Sequence, residues 1–340
     1  MLSLFDITSP RFTDDHWQRF HGLYQKLHAR YKSFFRDIPW QDFKKEMLSE
    51  AAKEPCYYRA VIAERDIIVG WVGLRAYNYG RPEQMVFSEC DALYDDIPEA
   101  LRKIAARQLT EWMNLRGLQE TFIVAFGRRL TAVATAWGGQ RLNRLNEFVL
   151  YRGRANRETL NGWLETVPLQ NEDLHLEFYS ETPESCLEDL AGLLTDLLRD
   201  MPEEGDSGMN YKVSVEDMKK QIIWRRENKM PSYKVMLFNE KKEPVAVTMA
   251  ELNLANPRNA FQAMTGVRWD YRGRGLARWL KAAMFTKLGE EFPQNEKIVT
   301  VMRAVNEPMQ KINAQMGYIL EREGAEFKIE LEKMKTYLDT

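Results

Sequence analysis

The chain has 340 residues, enough for two ordinary domains or one large one, and is 44% hydrophobic and 29% charged, a globular composition. A formal net charge of −2 and a pI near 6.2 speak against a general nucleic-acid or membrane-surface binder. Cys56, Cys90 and Cys186 are too few and too scattered for a disulfide framework or a metal site, and with no 18-residue apolar run and no signal peptide in MLSLFDITSPRFTDD a cytoplasmic protein with buried thiols is expected.

Residues 14 to 53 read as helical, with Trp17, Phe20, Leu23 and Leu27 recurring at helical spacing. YYRAVIAERDIIVGWVGLRAY, 57 to 77, reads as strand, tight turn, strand, and 99 to 117 as a helix with Gly117 as its C-cap. TFIVAF is a strand, RLTAVATAWGG a short helix closed by glycine, and NEFVLYR a strand. The order then recurs. PESCLEDLAGLLTDLLRDMP, 183 to 202, and VEDMKKQIIWRREN are helices, and 233 to 252 is again strand, turn, strand. AFQAMTGVRWD is a strand, GLARWLKAAMFTKLG a helix, KIVTVMR a strand, EPMQKINAQMGY a short helix and AEFKIELE a last strand.

Two anchors share one offset: Gly138 with Gly317, and Phe148 with Phe327, each pair 179 residues apart. With the matching element order this points to an internal duplication. The boundary falls in the polar RANRETLNGWLETVPLQNED, giving domains 1–155 and 172–340.

The stretch TGVRWDYRGRGLARWLK, 265 to 281, places a glycine- and arginine-rich turn between a strand and a helix. Such a turn exposes backbone N–H groups at the positive end of the helix dipole, and glycine lets an anion approach the backbone. Arg272 and Arg274 add charged donors. The bottom-up reading is a phosphate or pyrophosphate cradle, against a surface turn with solvated arginines. The pattern fits neither the dinucleotide-binding nor the P-loop glycine signature.

The turn resembles motif A of the GCN5-related N-acetyltransferases, the GNAT superfamily: [QR]-x-x-G-x-[GA] after a strand, met by Arg272, Gly275 and Ala277. NEPMQKINAQMGY is similar to the family's motif B, through Asn306, Met309, Ile312, Asn313, Gly317 and Tyr318. The two-copy layout is similar to tandem GNAT proteins such as mycothiol synthase. The resemblance implies an α/β (α+β) fold of two tandem GNAT-like domains, each a mixed, mostly antiparallel twisted sheet flanked by helices. It implies an acetyl-coenzyme A-dependent N-acetyltransferase with no metal. Its coenzyme contacts fall on Val267, Arg268, Trp269, Arg272, Gly273, Arg274, Gly275, Leu276, Ala277, Asn306, Met309 and Asn313. In the family the turn binds pyrophosphate, the strand backbone about Val267 to Trp269 pairs with pantetheine, and an N–H there polarises the thioester carbonyl. Motif B of many members carries an acidic tyrosine where this chain has Asn313, which leaves Tyr318, solvent or an unaided thiolate for leaving-group protonation.

Applied to motif A, the offset lands on Leu93-Tyr94-Asp95-Asp96-Ile97-Pro98, where carboxylates replace the donors, so the first copy is expected to have lost coenzyme binding. A primary amine must be neutral to attack, and Glu251 is the candidate base, with Gln262, Thr265 and Thr300 as positioning groups and a solvated strand-edge charge as the competing reading. The four histidines do not cluster. Glu203, Glu204 and Asp206, in the loop 200 to 212, suggest attraction for a cationic amine, or an exposed acidic loop. The expected partner is a small-molecule amine acceptor, with no nucleic acid and no membrane, in a monomer or weak homodimer. The alternative is a non-catalytic coenzyme A-binding or interaction protein on the same fold.

Overall fold

The structure, a computed structural model, describes residues 2–31, 38–51, 57–76, 86–205, 211–227, 229–252, 254 and 257–340. Cys56 and Asp206 lie outside these. The first copy runs β1 (Leu2–Asp6), α1 (Asp14–Tyr31), α2 (Trp40–Ala51), β2 (Tyr57–Glu64), β3 (Ile67–Ala76), β4 (Val86–Ala92), α3 (Glu99–Leu115), β5 (Glu120–Phe126), α4 (Gly127–Ala136), β6 (Gln140–Tyr151) and α5 (Arg157–Leu169). The second runs β7 (His175–Tyr179), α6 (Leu187–Arg199), α7 (Val215–Glu227), β8 (Ser232–Phe238), β9 (Pro244–Leu252), β10 (Asn259–Val267), α8 (Leu276–Glu291), β11 (Lys297–Arg303), α9 (Glu307–Met316), β12 (Ile319–Glu330) and α10 (Leu331–Asp339).

All twelve strands join one sheet, in the order β1-β2-β3-β4-β5-β12-β6-β11-β10-β9-β8-β7. Among the described residues only β4–β5 and β10–β11 pair in parallel. The copies exchange their last strands: β12 lies beside β5 and β6 beside β11. The following helices cross over too, α5 onto α8 and α10 onto α3. At the junction Phe148 faces Leu320 while Phe327 faces Arg141, and Glu147 faces Arg322 while Glu326 faces Asn143. Each of those pairings is the other shifted by the same 179 residues, so the duplication read from two anchors is also a pseudo-two-fold axis through β6 and β12. The exchange means that the two copies, though separate in sequence, complete each other's sheet.

Four apolar layers flank the sheet. α3, α4 and α10 cover one face of the first half, and α1 and α2 the other. α5 and α8 cover one face of the second half, and α6 and α7 the other. α6 shows why: Leu187, Leu190, Leu194 and Leu197 fall on one stripe and are all buried, each contributing about 1.5–3 kcal/mol of apolar burial. Among the described residues no helix is long and apolar enough to cross a membrane.

Several local readings change. The helical stretch 14 to 53 is two helices, α1 and α2. The polar boundary contains α5, capped by the Asn156 side chain on the Thr159 N–H. β1, β4, β7 and α10 are additional to the elements read from sequence. Cys90 is buried, which pushes its thiol up to about 12, whereas Cys186 is only partly covered.

Candidate active site

β10 and β11 pair only at Asn259–Lys297, Ala260–Ile298 and Phe261–Val299. Past this point they diverge, with a bulge in β10 between Gln262 and Met264. The last link is the Thr300 hydroxyl donating to the Gln262 carbonyl at 3.0 Å. Farther along, the Arg268 N–H donates to Val245 on β9 at 2.8 Å. Strand alternation then turns the peptide groups of Val267 and Thr265 to the opposite edge, into the cleft. β10 stops at Val267, and residues 269–271 form a 3-10 turn. The extended backbone expected through Trp269 therefore ends two residues earlier. Trp269 instead stands 74% exposed, under the Arg272 guanidinium at 4.8 Å.

The turn itself is built on two left-handed residues, Gly273 (φ 81°) and Gly275 (φ 79°). No side chain caps α8 at Gly275. Among the described residues the backbone N–H groups of Gly273, Arg274, Gly275, Leu276 and Ala277 donate to no protein acceptor. Leu276 is buried and anchors the helix start in the core. A Cβ on Gly273 would meet nothing within 4 Å, whereas one on Gly275 would touch Val167 of α5 at 3.4 Å. The open side of the turn is thus at Gly273. Gly275 is glycine for its φ and for its approach to α5.

Both turn arginines are already engaged. Arg272 donates to the Val267 carbonyl at 3.1 Å and to Asp200 at 2.9 Å. Arg274 reaches Asn171 at 2.7 Å and pairs with Asp173, whose carboxyl is held below its usual range by that hydrogen bond. Arg268 pairs with Asp270 and stacks on Tyr271. The sequence reading placed only a polar domain boundary at 155–172 and so missed that its helix and exit loop brace the turn.

Across the cleft, Asn306 caps α9, its side chain accepting the Met309 N–H at 3.3 Å. This makes Asn306 a fold determinant, with Met309 half-buried beside it. Gly317 closes the helix at φ 95°. Asn313 is fully buried; its amide nitrogen lies 3.9 Å from the Met302 sulfur and its Oδ1 has no partner. An unmet buried acceptor beside β11 suits a ligand that brings an amide N–H.

Gln262 organises the floor behind β10. Its Oε1 accepts from the Tyr318 hydroxyl at 3.0 Å and from the Lys281 ammonium, and its Nε2 donates to Thr248 at 2.9 Å. Thr248 in turn meets Thr265 at 2.7 Å. Burial pushes the Tyr318 phenol up and pulls the Lys281 amine down to about 7. A phenol so raised is a weaker proton donor than a surface tyrosine.

Glu251 lies on the other face. It is paired in register with Phe261 and Ser232, and the Arg225 guanidinium holds its carboxylate. Glu203 and Glu204, expected to attract an amine, are spent on arginines. Arg303 pairs with Glu203 at 2.8 Å, and the Arg144 side chain and N–H hold Glu204 at 2.8 and 3.0 Å. The loop pins β11 and β6 in place of baiting the cleft.

No protein-family model matches the chain, and no curated protein matches it. Solved structures do. A tandem GNAT protein from the clavulanic acid biosynthesis pathway, described as without AcCoA, superposes with a TM-score of 0.74 at 16% identity, covering 97% of this chain and 99% of that one. This chain has the tandem GNAT fold. A GCN5-related N-acetyltransferase from Sphaerobacter thermophilus follows the same path with a TM-score of 0.67 at 9% identity, covering 97% and 96% of the two chains. A fungal glucosamine N-acetyltransferase region, part of a multi-domain GH3 β-N-acetylglucosaminidase, gives 0.64 at 9% identity over 96% of this chain and 38% of that one.

Proposed function

We propose that the chain is an acetyl-coenzyme A-dependent N-acetyltransferase acting on a primary amine of a small molecule, with its one working site in the second copy. The observation that carries this is the run of unengaged N–H groups from Gly273 to Ala277, at the start of α8 and beside the diverging β10 and β11. Those donors and the helix dipole suit a pyrophosphate. The cleft-facing peptide edge of β10 suits the pantetheine arm, and Asn313 Oδ1 offers an acceptor for one of its amides. The coenzyme would bring an activated thioester. The Thr265 and Val267 N–H groups would polarise its carbonyl as negative charge develops there.

The first copy supports a single site. Its turn carries Asp95 and Asp96 without glycine. β4 and β5 also diverge after one pairing, Phe87–Phe122, but Arg129 at the start of α4 spans the gap. Its guanidinium pairs with Asp91 and donates to the Ala92 carbonyl at 2.8 Å, both residues being buried. A buried ion pair of this kind resists opening, because separating it strands a charge. An arm entering that cleft would have to displace it.

A second reading, a coenzyme-binding protein without turnover, draws on three observations. Asn313 stands where an acidic tyrosine would, Tyr318 is buried and bonded to Gln262, and Glu251 is held by Arg225. Thiol release from acetyl-coenzyme A, measured against a panel of primary amines, separates the two. Amine-dependent release supports the enzyme. Tight coenzyme binding with no release for any amine supports the second reading.

A further inference from the structure

A cavity of about 240 Å³ opens on the α6–α7 face, between α7, the segment after β7 and the first residues of β8. It lies apart from the coenzyme cleft, and no residue of the glycine turn lines it. Its walls are largely apolar, with Met218 and Ile222 from α7 and Met249 from β9. Among the described residues its cations, Arg225, Arg226, Lys229 and Lys234, outnumber its one lining carboxylate, Glu181, which pairs with Arg226, and two of its buried polar groups have no partner. Thr182 is 5% exposed and its hydroxyl has no partner. Arg225 spends Nη2 on Glu251 and leaves Nη1 unpaired, also buried. Lys234, 5% exposed, has only the Ser232 carbonyl at 3.1 Å and hydroxyl at 3.5 Å. Burial, then the nearby Arg225 charge, pull its amine down to about 8.

An unmet buried donor costs about 1–3 kcal/mol, more when charged. Two such donors, with the partly satisfied Lys234 amine beside them, describe the complement of a ligand that accepts hydrogen bonds and carries negative charge. A carboxylate has two oxygens and roughly four lone-pair directions, enough for all three donors. A phosphate dianion suits the apolar walls less well, because desolvating two charges there costs more than desolvating one. The volume is below the ~300–1,000 Å³ typical of drug-sized sites, which limits the body to a few carbons. We propose that this cavity binds a small apolar monocarboxylic acid, its carboxylate held by Thr182, Arg225 and Lys234 and its hydrocarbon end against Met218, Ile222 and Met249.

The proposal stands without the coenzyme reading, because the test is direct binding to the full chain. Calorimetric titration uses 4-methylpentanoate as the probe and its uncharged amide as control. Saturable binding of the acid, with the amide at least about tenfold weaker, is expected, since charge-assisted hydrogen bonds are roughly twice as strong as neutral ones. Thr182→Val keeps the shape and removes the hydroxyl, and should weaken the acid about three- to tenfold, the worth of one hydrogen bond. Lys234→Met should weaken it further, and circular dichroism checks that each variant is folded. The proposal is overturned if the acid gives no saturable binding at millimolar concentration, if the amide binds equally well, or if Thr182→Val leaves the acid's Kd unchanged.

Discussion

Replacing Gly273 by aspartate and by asparagine isolates charge at the open side of the turn. Both side chains tolerate the left-handed region better than other non-glycine residues, so the backbone strain at φ 81° is nearly common to the pair. A Cβ there meets nothing within 4 Å, so neither variant forces repacking. The two differ by one negative charge pointing over the N–H groups of Gly273 to Ala277. If a diphosphate sits on those groups with its nearer phosphate about 6 Å from the new carboxylate, that nearer charge alone repels it by about 0.7 kcal/mol at an effective dielectric of 80. At a dielectric of 20 the repulsion is about 3 kcal/mol. Coenzyme A should therefore bind the aspartate variant about three- to a hundredfold more weakly than the asparagine variant. The gap should close toward 1 M salt, where the screening length falls to about 3 Å. Pantetheine, which lacks the diphosphate, should bind both alike. Equal coenzyme affinity for the two variants at low salt, or an equal loss for pantetheine, would refute the cradle.

Asp200→Asn should tighten coenzyme A binding severalfold in a low-salt titration, because it removes a carboxylate near the turn and frees the Arg272 fork; weaker binding would show that Arg272 acts only when braced by Asp200. Lys281→Met should raise the melting temperature, with the gain depending on pH. The folded-state pKa is about 7 against 10.5 for the ordinary side chain, so between these values the unfolded chain holds the extra proton and wild-type stability rises with pH. The gain from Lys281→Met should be full at pH 7 and below and fade toward pH 10.5, as thermal melts across that range would show; a gain independent of pH would contradict a buried amine held below its ordinary pKa. Asp95→Asn and Asp96→Asn should leave coenzyme A affinity unchanged by calorimetry, and a change in either would move the site toward the first copy.

The turn was legible because its chemistry is local. Two glycines before an amphipathic run can be read directly, and both take positive φ. Motif B was legible for the same reason, with Asn306 and Gly317 as caps. What stayed hidden is long-range pairing. The strand exchange needs β12 to find β5, and nothing in the local pattern of either strand names that partner. α5 was hidden by its own composition, since Leu160 and Val167 are its only buried residues and the rest reads as polar linker. The carboxylates of Glu203 and Glu204 looked available because their arginines, Arg303 and Arg144, are far away in sequence. The same separation hid the Arg129–Asp91 pair, which closes the first cleft. Glu251 was placed correctly on a strand, but its face and its Arg225 partner depend on how α7 docks.

The central claim is one coenzyme site per chain, in the second copy. Calorimetric titration of the full chain with coenzyme A measures it directly, through the number of equivalents bound by wild type and by Gly273→Asp. The account predicts one equivalent for wild type and a marked loss of affinity for the variant. Two equivalents, or one equivalent whose affinity is untouched by Gly273→Asp at low salt, would contradict it.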